Sequence, residues 1–286
     1  GETGPSGGQK LDTLAQPYNT PLKQPKNAGC EDAGVIRERH IKRARSKAVF
    51  RPLQTVLCEL QSPLEKSYRN SLYCCDAFAQ VDDVLTSSYC KNRWCPICNR
   101  IRTAITINFY GPVLTSWPAP HFVTLTRKTV PVESLSDTYA NSLSVFNRVK
   151  RAMRYSRTAP LKLVALRKTE CTYNAGDSRY HLHYHVITAT GEMAYRLRDG
   201  WVSRHPPELC SPQAQDVRPA DGRSLKELLK YATKMVVKGK DARRRYVPPE
   251  ALDNIFQALR GKRLLQPIGF QVPHEVLDEE DFDTTG

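Results

Sequence analysis

The alternation of polar and apolar positions is sharpest at Tyr180-His181-Leu182-His183-Tyr184-His185-Val186-Ile187. In an extended strand alternate residues share a face. The pattern therefore predicts His181, His183 and His185 on one side and the apolar residues on the other. Upstream, Leu161–Tyr173 is rich in strand formers, and Asn174-Ala175-Gly176-Asp177-Ser178 is turn chemistry. The two segments read together as a β-hairpin. His121-Phe-Val-Thr-Leu-Thr126 predicts a further short strand, central in a sheet, and Gln215–Arg218 predicts another.

Elsewhere the period is helical. Leu135, Tyr139, Leu143, Phe146, Val149 and Met153 space an amphipathic helix over 133–155. Leu225, Leu228, Leu229, Ala232, Met235 and Val236 do the same over 224–238. On the opposite ridge of that helix stand Glu227, Tyr231, Lys234 and Lys238, stepping by four, three and four. Helices are also predicted over 36–51, 101–113 and 193–202, and from a proline start over 249–259. This order defines an α+β fold, an antiparallel sheet with helices on its faces.

The length, 286 residues, allows one sizeable core plus a small appended module. The expected layout is a leader over 1–34, a basic segment with a cysteine module over 35–110, the sheet domain over 111–270 and an acidic tail over 271–286. Forty-three Lys/Arg against 29 Asp/Glu leave a net charge of +14, which points to a polyanionic partner, most simply nucleic acid. No apolar run approaches a membrane span and no signal pattern opens the chain, so the expected setting is the cytoplasm, away from membranes.

The chain holds nine cysteines, an odd number with a tight central cluster, which suggests metal ligation in a reducing compartment. Cys95 and Cys98 form a Cys-x₂-Cys knuckle with Cys90 five residues before it, the spacing of a structural Zn²⁺ site. Either Cys74 or Cys75 supplies the fourth thiolate. Arg93, Arg100 and Arg102 beside the cluster are candidates to reach phosphates, as are Lys238, Arg243 and Arg244 further on.

Adjacent same-face imidazoles can hold one metal ion. Folding the hairpin about Ala175-Gly176, or one residue later, brings Glu170 opposite His181 or His183. The third ligand is then Glu170, with His181 as its rival. A His/His/carboxylate set with open positions suits Mg²⁺ or Mn²⁺ acting on phosphate. On the 224–238 ridge, Lys234 would ease formation of a Tyr231 phenolate or pair with phosphate, and Glu227 would take a proton from the tyrosine or from water.

Several segments, in this order, resemble the HUH-endonuclease replication initiators of rolling-circle plasmids, in the branch with one catalytic tyrosine, an assisting glutamate and a cysteine knuckle. They are Cys90…Arg93-Trp-Cys95-Pro-Ile-Cys98…Arg100, Phe122-Val-Thr-Leu-Thr126 and Glu170-Cys-Thr-Tyr-Asn174. They continue with His181-Leu-His183-Tyr-His185-Val-Ile, Glu227-x₃-Tyr231-x₂-Lys234 and Lys262-Arg-Leu-Leu…Gly-Phe270. The resemblance implies an RRM- or ferredoxin-like core with His183 and His185 as the metal pair. Glu170 would be the nearby acid, His181 a further family histidine, Tyr231 the nucleophile and Glu227 the activator of the terminating nucleophile. It implies sequence-specific nicking and joining of single-stranded or hairpin origin DNA through a 5′-phosphotyrosine link, with the free 3′-OH priming a host polymerase beside a host helicase. The implied ions are Mn²⁺ or Mg²⁺ at the histidines and Zn²⁺ at the cysteines. Competing readings are a transposase or mobilisation relaxase of the same chemistry, and a zinc-stabilised, non-catalytic DNA-binding regulator. Dimerisation is left open by the sequence.

Overall fold

The computed structural model describes residues 33–76, 78–81, 84–229, 236–238 and 244–271. The chain forms a long first helix α1 (Ala33–Glu59), α2 (Glu65–Leu72), a small ribbon of β1 (Phe78–Val81) and β2 (Val84–Ser87), and α3 (Pro96–Thr115). Then come β3 (His121–Thr126), α4 (Leu135–Arg154), β4 (Ala165–Asn174), β5 (Arg179–Thr188) and α5 (Gly191–Val202). The remainder is β6 (Asp216–Pro219), α6 (Gly222–Leu229), β7 (Val236–Lys238), β8 (Arg244–Tyr246), α7 (Pro249–Leu259) and β9 (Leu265–Ile268). The fold is α+β. Its main sheet has five antiparallel strands in the order β6-β3-β5-β4-β9, with the histidine strand β5 at the centre. Strand β3, expected in the centre, lies one place away, between β6 and β5.

Strand alternation sorts the core into two layers. Val123, Leu125, Tyr184 and Val186 face α4 and α5, packing on Val145, Phe146, Val149, Met153, Leu197 and Trp201. Phe122, Leu166 and Ile187 face the other way, against Tyr110 and Leu114 of α3 and Leu225, Leu228 and Leu229 of α6. Each such fully buried side chain contributes about 1.5–3 kcal/mol. The helical spacing read over 133–155 is realised in α4, where Leu135, Tyr139, Phe146, Val149 and Met153 are buried. A third cluster joins α1 and α2 to α7 through Leu53, Leu57, Tyr68, Trp94, Leu252 and Phe256.

The 224–238 segment departs from the expected single helix. Helix α6 spans Gly222–Leu229, and Val236–Lys238 is a strand paired with Arg244–Tyr246. The consecutive β-branched residues Val236 and Val237 favour an extended, paired backbone over helix. Lys238 therefore does not continue a helical ridge from Glu227. Tyr231 and Lys234 lie outside the described residues, as does Arg243.

Candidate metal centre and cysteine cluster

The hairpin β4–β5 builds the centre from one continuous stretch of chain. Its turn is held by two side-chain contacts. Gly176 N donates to Asn174 Oδ1 at 3.1 Å, and Arg179 N donates to Asp177 Oδ1 at 3.2 Å. These are local Asx-type bonds that turn the backbone without further support. The resulting register sets Glu170 opposite His183 and Lys168 opposite His185. This is the later of the two foldings considered from the sequence.

Glu170, His183 and His185 present donor atoms all within 4.8 Å of one another, a group that can hold a metal ion. Glu170 Oε2 lies 3.5 Å from His185 Nε2. The other ring nitrogen of His185, Nδ1, is 3.4 Å from Thr124 Oγ1 on β3, and His183 Nδ1 is 3.2 Å from the His181 carbonyl. With each Nδ1 engaged by an oxygen, each Nε2 is left as the donor toward the centre, the usual outer-shell support for a metal-binding imidazole. All three residues are buried. Burial lowers the His183 pKa to about 3, partly offset by the Glu170 charge, so the ring is neutral and able to donate a lone pair at ordinary pH.

His181 stands apart from this group. Its Nε2 is hydrogen-bonded to Thr126 Oγ1, and its ring stacks on His183 with centroids 4.9 Å apart. The structure thus groups Glu170, and not His181, with the central pair.

Lys168 is a member of the centre that the motif reading missed. It is buried, and its Nζ lies 3.2 Å from Glu170 Oε2 and 3.3 Å from the backbone carbonyl of Glu227. It shares a strand face with Glu170, two residues away, so a lysine in phase with the acid inside a strand-forming run was the available signal. The Glu227 carbonyl belongs to α6. Lys168 therefore ties that helix to the Glu170 carboxylate. The Glu227 side chain turns elsewhere, with Oε2 3.2 Å from Arg218 on β6. Arg218 in turn lies 4.4 Å over the Phe122 ring, and Phe122 stacks on His185 at 5.3 Å. Arg218 is the second residue the motifs did not reveal.

The cysteine cluster forms where α2, β2 and α3 meet. Cys74, Cys90, Cys95 and Cys98 bring their sulfurs within 4.8 Å of one another, with Cys98 Sγ 3.5 Å from Cys74 Sγ and 3.7 Å from Cys90 Sγ. Those gaps are too long for disulfides and suit thiolates converging on one ion. Backbone amides support the sulfurs: Lys91 N donates to Cys98 Sγ at 3.2 Å and Cys90 N to Cys74 Sγ at 3.4 Å. Of the two candidates for the fourth position, Cys74 is in the set and Cys75 is outside it. Cys95 precedes α3, and Pro96 starts that helix at a position where a missing N–H costs nothing. Trp94 anchors the cluster to the core, 5.2 Å from Phe256 and 6.0 Å from Tyr68. The four-sulfur donor set fits Zn²⁺, and the mixed His/His/Glu set fits a harder divalent ion.

Of the candidate phosphate contacts, Arg93 donates to the Lys262 carbonyl, Arg100 to Ser46 Oγ at 2.9 Å, and Arg102 to the Lys91 carbonyl at 2.6 Å. These three guanidinium groups brace the cysteine module. Lys238 and Arg244 sit opposite one another on the β7–β8 ribbon.

An antiparallel sheet whose central hairpin carries a His/His/Glu group, beside a four-cysteine cluster, defines an α+β protein with two side-chain groups that could each hold a metal ion. Residues 82–196 match the Rep_1 family, described as "Replication protein". The chain is 24% identical over 160 residues to "Protein rep" of Staphylococcus aureus, covering 51% of this chain and 69% of that protein. It is 30% identical over 105 residues to "Protein rep" of Streptococcus pneumoniae serotype 2 (strain D39 / NCTC 7466), covering 35% of this chain and 32% of that protein. Over residues 82–196 the chain is thus similar to the Rep replication proteins. No solved structure matches it significantly. The family match includes Cys90, Cys95, Cys98, Glu170, His183 and His185 and ends before Glu227. Among the described residues no helix is long and apolar enough to cross a membrane.

Proposed function

We propose that this protein initiates rolling-circle replication of a plasmid by nicking and rejoining one strand of its origin DNA. The observation that carries the reading is the buried Glu170–His183–His185 group on one hairpin. It is supported by the family match, which favours replication over transposition or mobilisation. A divalent ion such as Mn²⁺ or Mg²⁺ bound there supplies Lewis acidity to an oxygen of the scissile phosphate. Glu170 and the two imidazoles fix where that phosphate sits, and Lys168 holds the carboxylate toward His185.

Tyr231, which lies outside the described residues, is assigned as the nucleophile. Its phenol oxygen, having lost its proton, forms a bond to phosphorus, and the P–O3′ bond breaks. The departing 3′ oxygen takes up a proton and becomes the primer 3′-OH, while the 5′ phosphate stays on the tyrosine. That link conserves the bond for later strand joining. At termination Glu227 takes a proton from water, whose oxygen attacks phosphorus at the regenerated origin and breaks its P–O3′ bond; the 3′-OH so released attacks the tyrosyl phosphate, rejoining the strand as the tyrosine leaves and takes up a proton. Lys234 is assigned to the phosphate or phenolate charge. The cysteine cluster, holding Zn²⁺, is structural. The partners are single-stranded or hairpin origin DNA with a host helicase and polymerase, in the cytoplasm.

The test mixes the protein, Mn²⁺ and end-labelled single-stranded oligonucleotides from a candidate origin, then denatures in detergent. The expected product is a labelled band of retarded mobility, lost with chelator and in Tyr231→Phe. A band that persists in Tyr231→Phe moves the nucleophile elsewhere. Tight binding with no adduct on any substrate makes the protein a non-catalytic DNA-binding regulator.

A further inference from the structure

The β5 face carrying His183 and His185 is only one of two, and the opposite face bears a second concentration of charge. From Thr138 to Thr169 the chain holds eight Lys/Arg and no Asp/Glu. Four of these cations converge at the end of α4. Lys150, Arg151 and Arg154 come from its last two turns and Lys162 from the loop beyond, and with Tyr155 and the Gly269 turn they line a cleft of about 580 Å³. Among the described residues none of the four is ion-paired with a carboxylate.

Two features make this more than a solvated basic helix. Arg167 lies buried beneath α4, its guanidinium 4.9 Å from the rings of both Phe146 and Tyr184. It adds positive charge beneath α4, and among the described residues no carboxylate pairs with it. Burial first, then the charges of Arg167 and Arg151, lower the Lys150 pKa. Tyr155 is 68% exposed at the rim, with Arg154 Cζ 5.4 Å from its ring centroid. Cations tracking a backbone beside an exposed aromatic ring are the recurring design for single-stranded nucleic acid, because every base has a face to stack.

We propose that this cleft binds single-stranded DNA, taking backbone phosphates on Lys150, Arg151, Arg154 and Lys162 and stacking a base on Tyr155. Helix α4 covers the sheet face turned away from His183 and His185, so the strand held here is not the scissile dinucleotide. It is a flanking segment, gripped while the other face does its work. The inference rests on the proposed reaction only for the kind of ligand.

The test uses the full chain with no Mn²⁺ or Mg²⁺ added, and measures fluorescence anisotropy of a labelled oligothymidylate, which carries no origin sequence, across a salt series. Lys150→Ala with Arg154→Ala should weaken binding at least tenfold and flatten the log–log salt slope by about 1.4, near 0.7 per lost single-strand phosphate contact. Tyr155→Ala should weaken binding about fivefold or more with the slope unchanged, the signature of lost stacking. Unchanged affinity and slope in both variants overturn the site. A duplex that loses as much affinity as the single strand in the double variant, with no effect of Tyr155→Ala on either, overturns the single-strand assignment. Because no chemistry is read, absence of a phosphotyrosine adduct would sink the nicking reaction and leave this cleft standing.

Discussion

Lys168 places a positive charge against the carboxylate oxygen that faces His185, so it and a divalent ion compete for the same negative charge. Breaking a buried pair by removing one partner typically costs about 3 kcal/mol or more. Lys168→Met should therefore lose about 3 kcal/mol of metal-free stability in urea, and Mn²⁺ should restore more stability to it than it adds to the wild type. Equal Mn²⁺ increments in the two proteins would show that the lysine does not oppose the ion. His183 gives a second readout. Its folded pKa of about 3 lies below the ordinary 6.5, so between those values the unfolded chain binds a proton that the folded chain refuses. Stability of the metal-free protein should be complete above pH 6.5 and fall as pH drops toward 3. Urea unfolding at pH 7 and pH 4.5 in chelator checks this, and His183→Gln should flatten the dependence.

At the scale of elements, the hairpin and the helices were legible because their signals are local. Alternation placed the histidines on one face, turn residues bounded the register to two choices, and α4 and α7 followed their periodicity and, for α7, a proline start. The choice between the two registers was not legible, since it depends on how Asn174 and Asp177 bond to the turn backbone. Lys168 escaped notice because a lysine in a strand ordinarily faces solvent, and only the packed sheet shows this one enclosed beside Glu170. The over-long 224–238 helix failed for a related reason. Apolar residues at helical spacing also suit a helix that stops and a strand that starts, and Val236-Val237 decided between them. One turn offers a clean test of element geometry. Gly269 has φ +78°, and a Cβ there would collide with the Leu163 carbonyl oxygen. Gly269→Ala should cost about 2 kcal/mol in denaturant unfolding by straining the β9 exit; a neutral result would show that this turn relaxes freely.

For the whole molecule, the two candidate ion sites sit on separate supports. The four cysteines hold the start of α3 and reach the core through Trp94, whereas Glu170, His183 and His185 share one hairpin in the sheet. Cys95→Ser should remove one equivalent of Zn²⁺ and lower thermal stability, while Mn²⁺ still binds at the hairpin by calorimetry. Joint loss of both ions would mean that the sheet does not fold without the cluster. Cysteine spacing was legible in the sequence, and three of the four grouped sulfurs, those of Cys90, Cys95 and Cys98, come from the run it singled out. What joins those parts, the packing of Trp94 between Tyr68 and Phe256, involves residues far apart in the chain and left no local trace.

All three candidate ligands of the hairpin centre fall within sixteen consecutive positions, Glu170 to His185. Bringing them together closes only a short loop, which is entropically cheap and kinetically fast. Glu227, more than forty positions later, must wait for β6 and α6 to dock. Any grip on an ion is thus a local property of one ribbon, whereas the meeting of Glu227 with Lys168 is a property of the finished tertiary structure. On the proposed reaction, a folding chain would acquire affinity for an ion before it acquires the means to cut DNA.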